Sequence, residues 1–399
     1  MNNSDQEKAT EDRVAAVLNA RSELLAEPFS TCVVVPDATR PISYEQTVGP
    51  LVSQLAEAGS SVEIVVGMGL HRPMTPQELQ PLREAIGDRN VEIFQHDASG
   101  EALVELGDAG ELPETAPERI PVALNRRVVE AQRVVCVGVV EPHQYAGFSG
   151  GIKAVSIGCA SRETISAMHG LSFLRDQRTT LGRVEDNPFQ QALWRIGAAL
   201  ENVLGLQIIP GQGGGVSQVI FDEVDPAFET ACRRARAQFF EPIGDGPVDW
   251  VHLPVPEVKA SNFYQASRAA TYVALVDQPA VRESGVIIVE ARCPEGVGVG
   301  RGERRCAEAM QRGVDALLEE LESSRDVETT GGQQRAYVLA KTCNRNRVVL
   351  VGAPPIEALR SMGIEQFAAV DEVFDRYELD PEAGLRIDDV FHRVPYLQR

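Results

Sequence analysis

Cysteine is sparse in this 399-residue chain and never paired in sequence. Cys32, Cys136, Cys159, Cys232, Cys293, Cys306 and Cys343 are odd in number, scattered, and nowhere spaced as Cys-x-x-Cys. That excludes a disulfide framework, a zinc ribbon and an iron–sulfur centre, and reads as reduced, mostly buried thiols. Positive charge is also scarce: 38 Lys and Arg stand against 58 Asp and Glu, a net charge of −20. No basic stripe exists to meet nucleic-acid phosphates or an anionic membrane surface. No run of eighteen apolar residues occurs, and the polar, acidic start Met1-Asn-Asn-Ser-Asp-Gln-Glu-Lys8 lacks the apolar core of an export signal. The expectation is a cytoplasmic protein that binds neither nucleic acid nor membrane.

What the chain does have is a βαβ rhythm. Thr31–Pro36 and Ser61–Gly67 are short β-branched runs, and spaced apolar residues between Ser43 and Ala58 suit an amphipathic helix. Thr75-Pro-Gln-Glu78 is a capping box with proline at the first helical position, so a helix is predicted directly after His71-Arg-Pro-Met. Three predicted strand ends carry polar residues: Asp37-Ala-Thr-Arg40, His71, and Glu141-Pro-His143 after Arg133–Val140. In open α/β sheets, ligands bind beyond the carboxyl ends of the strands. Gly244-Asp-Gly-Pro247 reads as a linker, after which strands (250–254, 285–290, 347–352) and helices (from about 261, and 303–322) restart. The fold class expected is α/β, with one domain over 1–243, a second over 248–399 whose last residues are free to pack back on the first, and a ligand cleft between them.

Histidine is rare, six in all, yet His143 and His169 flank Lys153 closely in sequence. Gly147, Gly150 and Gly151 around Ser149 permit backbone angles that let amide hydrogens converge on an anion, with Lys153 at its edge. The segment lacks the Gly-Lys-Ser/Thr ending of a Walker A loop, which disfavours an ordinary NTPase. A plain strand-to-helix turn with a solvated lysine remains the alternative. Arg40 suits a planar clamp for a carboxylate or phosphate. His71 and His143 on parallel loops form a plausible acid/base couple. His169 is a possible metal ligand, but no second His, Cys or carboxylate at ligand spacing supports it. His96, His252 and His392 carry no motif and are assigned no role.

Taken together, Asp37-Ala-Thr-Arg-Pro41, His71-Arg-Pro-Met-Thr75, Pro142-His143, Ala146-Gly-Phe-Ser-Gly-Gly-Ile-Lys153, Met168-His169 and Asn262-Phe-Tyr-Gln-Ala266 resemble the nickel-pincer lactate racemase family, in the same order. The resemblance implies a cofactor: a nickel-pincer nucleotide, the pyridinium-3-thioamide-5-thiocarboxylic acid mononucleotide. Lys153 would be its covalent anchor and His169 the protein ligand to Ni, with Asp37, Thr39, Gly147, Ser149, Gly150, Gly151, Tyr264 and Gln265 as cofactor contacts. It implies a 2-hydroxy acid as small-molecule substrate, bound by Arg40, Arg268, Tyr264 and Gln265, and inverted at C2 by proton-coupled hydride transfer, with His71 and His143 as the catalytic acid/base pair on its two faces. Transient contact with the enzymes of cofactor biosynthesis follows. Three departures stand out: Ala38 replaces a family histidine, Arg268 a lysine and Gln334 a tryptophan. A planar guanidinium in place of a point charge is not neutral at a carboxylate site, so the substrate is expected to differ from lactate. The competing classes are a metal-dependent hydrolase or phosphate-binding transferase using the same histidines, and a non-catalytic sensor of a hydroxy acid or nucleotide.

Overall fold

A computed structural model describes residues 3–40, 42–113, 116–211, 215–244, 246–323 and 331–398; Pro41 of the first motif and Asp245 of the linker lie outside them. The first half is built on a six-stranded sheet in the order Val216–Glu223, Val203–Pro210, Arg133–Val139, Ser30–Pro36, Ser61–Gly67, Glu92–Gln95. All neighbours are parallel except the antiparallel edge pair Val203–Pro210 with Val216–Glu223. Continuous Val, Ile and Leu runs form these central strands because both faces are covered. From Ser30–Pro36 the chain first builds outward through Ser61–Gly67 to Glu92–Gln95. It then returns to add Arg133–Val139 on the other side. The order therefore reverses between Ser30–Pro36 and Arg133–Val139, which is where a crevice opens in such sheets.

The predicted helix after Ser43 spans Tyr44–Glu57, and the Thr75–Glu78 capping box opens Pro76–Ile86 with both reciprocal hydrogen bonds formed. The second half carries a five-stranded parallel sheet in the order Glu365–Phe367, Arg347–Val351, Val281–Glu290, Val248–Pro254, Gly384–Arg386. The helix expected over 303–322 is two, Arg301–Met310 and Val314–Ser323, broken at Gly313 in the left-handed region. The carboxyl-terminal strand Val394–Leu397 pairs in parallel with Phe240–Ile243, so the end of the chain returns to the end of the first half. One buried apolar cluster runs from Val34 and Cys136 of the first sheet through Phe148, Phe189 and Phe263 to Ile287 and Leu350 of the second. All seven cysteines are free thiols, and among the described residues no helix is long and apolar enough to cross a membrane.

Candidate active site

A cavity of about 880 Å³ opens at the point where the strand order reverses, between the first sheet and a wall supplied by the second half. It gathers Asp37, Thr39, Arg40, His71, His143, Ser149, Gly150, Lys153, His169 and Tyr264 from the sequence-predicted set. A larger cleft of about 1820 Å³ lies elsewhere and carries none of them. Gly147, Gly151, Gln265 and Arg268 do not line the cavity itself.

The carboxyl end of Ser30–Pro36 fixes the first group. Asp37 is 5 % exposed and accepts from the Thr39 amide at 3.1 Å and its hydroxyl at 2.5 Å through Oδ1. Its Oδ2 lies 2.6 Å from His71 Nδ1. Burial would raise the Asp37 pKa, but the hydrogen bonds from His71 and Thr39 outweigh it and hold the carboxyl below its ordinary value. Sequence alone pointed Asp37 at Arg40 or the cofactor; the structure turns it to His71. Arg40 instead stands 3.8 Å from Glu141, a loose and half-exposed pair that leaves its guanidinium available.

The two histidines are set differently. Asp37 can only accept, so His71 donates from Nδ1 and presents Nε2 as a bare lone pair on a 60 % exposed side chain. His143 Nδ1 accepts from the amides of Tyr145 and Ala146, each at 3.2 Å, which puts its proton on Nε2. Burial, then the positive charges of Lys153, Arg40 and Arg268, push the His143 pKa well below the ordinary value. An interchangeable acid/base couple was expected, and the structure departs from it for a local reason. A neutral imidazole bearing its proton on Nε2 donates from there and takes nothing.

The glycine-rich turn also departs from expectation. The amide of Ser149 donates to Glu141 O at 2.9 Å and that of Gly151 to Gln207 Oε1 at 2.9 Å, so neither is available to an anion. The Ser149 hydroxyl is likewise engaged with the backbone, donating to Val139 O at 2.6 Å and accepting from the Glu141 amide at 3.0 Å. Gly147, at φ 74°, would bring a Cβ within 2.0 Å of the Arg183 carbonyl oxygen, and a Cβ on Gly151, at φ 57°, would strike the Phe228 ring. Packing, rather than an anion nest, requires these glycines. What the turn does is aim Lys153 inward.

Lys153 begins a short helix, Lys153–Ser156, and its amine makes no hydrogen bond among the described residues. Burial, then the nearby Arg40 charge, lowers its pKa to about 7. His169 caps the helix Arg162–Met168, whose start is fixed by Ser161 accepting from the Thr164 amide. Its Nδ1 donates to Ile165 O at 2.8 Å, which places the lone pair on Nε2, and burial lowers its pKa to about 4. A neutral imidazole with one nitrogen fixed by a carbonyl is the usual form of a metal-binding histidine. Among the described residues, no group of three or more His, Cys, Asp or Glu could hold a metal ion. A metal at His169 therefore needs donors that the protein does not supply.

Sequence reading missed the side chains that organise this floor. Phe189 packs beneath His143, Tyr145 and His169, with centroid distances of 6.5, 5.5 and 6.1 Å. Tyr145 lies between the two histidine rings, 6.3 and 6.1 Å away, and its hydroxyl is buried with no hydrogen-bond partner. The place of Tyr145 directly after Gln144 in the motif was the one available signal. On the facing wall Asn262 caps Phe263–Ala274 by accepting from the Gln265 amide at 3.0 Å, which orients Tyr264 to the cavity. Arg301, Arg305 and Gln334 join it there. The three histidines assigned no role have bonded rings: His96 to Ala160 O, His252 to Glu290 and His392 to Asp389.

Residues 1–182 match the family model described as the lactate racemase N-terminal domain. The chain is similar to a lactate racemase of Thermoanaerobacterium thermosaccharolyticum, 26% identical over 339 residues, which is 83% of this chain and 75% of that protein. It is similar to a lactate racemase of Lactiplantibacillus plantarum, 22% identical over 363 residues, 89% of this chain and 81% of that protein. Its fold matches the lactate racemase apoprotein from T. thermosaccharolyticum with a TM-score of 0.80 at 23% identity, covering 97% of this chain and 92% of that chain. A Thermotoga maritima crystal structure matches with a TM-score of 0.71 at 20% identity, covering 97% and 98%. Both structural likenesses speak for the architecture of two α/β halves.

Proposed function

We propose, from its likeness to lactate racemases, that this chain is an isomerase that inverts C2 of a 2-hydroxy acid with a nickel-pincer nucleotide tethered at Lys153. The observation that carries the reading is the convergence of a buried lysine with a lowered pKa and no hydrogen bond among the described residues, a neutral His169 with its Nδ1 held by a carbonyl, and two histidines of opposite tautomer on one cavity. These residues fit the group. Lys153 offers the nucleophilic amine that an amide-type link needs. His169 offers one nitrogen to a nickel whose remaining donors are organic. When bound, the group supplies hydride exchange at C2, so that the alcohol carbon passes through a planar 2-keto acid.

The protein's own residues handle the proton and the orientation. Arg40 holds the C1 carboxylate. His71 Nε2 takes the hydroxyl proton, and Asp37 stabilises the imidazolium that forms while keeping the ring in place. His143 donates its Nε2 hydrogen to the C2 oxygen, polarising the carbonyl without being ionised, as its depressed pKa favours. The planar keto acid then turns its other face by releasing its carboxylate from Arg40 while its oxygen stays with the two histidines; the His71 proton returns to that oxygen and the centre is inverted.

The rival hydrolase reading needs protein donors for a metal, and no such cluster stands among the described residues. Intact-mass measurement and a chiral assay decide the reading. Protein from cells that make the cofactor should carry an adduct at Lys153 and should racemise a 2-hydroxy acid with isotope at C2 retained in the product. Hydrolysis or group transfer by protein with an unmodified Lys153 and added Zn²⁺ or Mg²⁺ would overturn it. A loaded protein that binds hydroxy acids and turns over none would leave the sensor reading.

A further inference from the structure

Behind the wall that faces the histidines, and not lining the cavity itself, stands a pair of guanidiniums with no counterion among the described residues. Arg268 lies one helical turn beyond Tyr264 on Phe263–Ala274, near enough for its charge to depress the His143 pKa. Arg335 stands over the Tyr264 ring, 5.7 Å from its centroid, and its electrostatic neighbours are Arg268, Tyr264 and Tyr145. Buried polar atoms in this corner lack any hydrogen-bond partner: Arg268 Nε, Arg335 Nη1 and Tyr145 OH. Among the described residues neither arginine forms an ion pair.

Among the described residues no carboxylate pairs with either guanidinium. Arg335 sits in the first turn of the helix Gln334–Arg345, where the helix dipole is positive and a cation is disfavoured. Two like charges side by side add repulsion. Burial pushes the Arg335 pKa down, yet a guanidinium stays protonated at neutral pH. Lys259 feels the charges of both Arg268 and Arg40, offset there by Glu141 and Asp389. Such unsatisfied donors cost free energy unless a ligand meets them.

We propose that Arg268 and Arg335 form a second anion subsite, with Tyr145 OH as an additional donor, and that the substrate is a 2-hydroxy acid bearing a second carboxylate, a short 2-hydroxydicarboxylate. The inference rests on the racemase reading above for its reaction but not for its binding. The phosphate of the tethered nucleotide shares the same anionic chemistry. The arginines Arg301 and Arg305, which line the cavity itself, suit that phosphate, whereas Arg268 acts on His143 and Arg335 lies over Tyr264.

Calorimetric titration of the unloaded protein with L-malate, D-malate, L-lactate and inorganic phosphate tests binding without turnover. Malate should bind about 10- to 100-fold more tightly than lactate, the worth of one well-made contact to a charged group. Arg335→Gln should abolish most of that difference, and Arg335→Lys should retain part of it, which guards against a variant that merely misfolds. On the loaded enzyme the ratio of malate to lactate kcat/KM should fall by a similar factor in Arg335→Gln, mainly through KM. Equal binding of malate and lactate by wild type, or equal losses for both in Arg335→Gln, overturns the subsite. A malate preference that vanishes on cofactor loading, with inorganic phosphate competing before it, assigns the arginines to the nucleotide and also overturns it. Arg335-dependent malate binding by a loaded enzyme that racemises nothing would sink the racemase reading and leave the subsite standing.

Discussion

The two walls of the cavity follow opposite rules. On the wall built by the first sheet, each histidine ring has one nitrogen already held: His71 by Asp37, His143 by two amides, His169 by a carbonyl. Behind the wall from the second half, Arg268 and Arg335 keep buried donors that nothing among the described residues satisfies. The difference separates chemistry from recognition. A proton-transfer group must sit in one tautomer and one orientation before the substrate arrives, so its other valences are filled by the protein. A recognition group must leave its donors for the ligand, and the fold tolerates that cost at a functional site.

The largest effect expected is at the anchor. Lys153→Ala should lose the mass adduct and all detectable racemisation, because no other side chain offers an amine to the covalent link. In the unloaded protein, acylation of Lys153 by a small amine reagent should rise with pH to half its maximum near pH 7, since a pKa lowered to about 7 leaves the amine neutral above it. A midpoint above pH 10 would show a solvated lysine and break the first-wall picture at its centre.

Next come the histidines. Alanine at His71 or His143 should cost about 10²–10⁴-fold in turnover in both directions, with adduct and nickel still bound. The inequality of their settings gives a sharper test by steady-state kinetics. His143→Gln keeps a neutral donor and should recover part of the loss, while His71→Gln cannot take a proton and should be as poor as His71→Ala. Equal behaviour of the two glutamine variants would restore an interchangeable acid/base couple.

Asp37→Asn should lower kcat about 10- to 100-fold with little change in KM, since it removes the charge that stabilises the His71 imidazolium but touches no substrate. A change confined to KM would place Asp37 on the ligand instead. On the facing wall, Arg268→Lys should redistribute kcat/KM among 2-hydroxy acids by several-fold, on the order expected when a planar fork gives way to a point charge. An equal loss for every substrate would make Arg268 structural and erase the contrast between walls. Smallest of all, Thr75→Ala should cost about 1 kcal/mol of stability in thermal or denaturant unfolding by removing the cap on Pro76–Ile86, with racemisation per folded molecule unchanged.

Strand ends were legible because their signals are local. The β-branched runs, Pro36 and Pro142, and the Thr75 capping box lie within a few residues of what they determine, and so Asp37, Arg40, His71 and His143 reach one edge as expected. The glycine turn was misread because its partners are distant. Gly147 answers to Arg183 and Gly151 to Phe228 and Gln207, contacts that no spacing within 147–153 encodes.

By itself the sequence determined which residues are candidates for the chemistry, since a lysine, three histidines and an aspartate stand in motifs whose order resembles one family. Only the tertiary structure decided what each of them does. Hydrogen-bond geometry assigns the proton to one ring nitrogen or the other, and burial sets whether an amine is charged; both are properties of neighbours brought together by folding. Arg335 shows the limit most plainly. It stands 67 positions after Arg268 in the chain, and its meaning arises only where Phe263–Ala274 and Gln334–Arg345 pack side by side and leave two guanidiniums without an anion among the described residues.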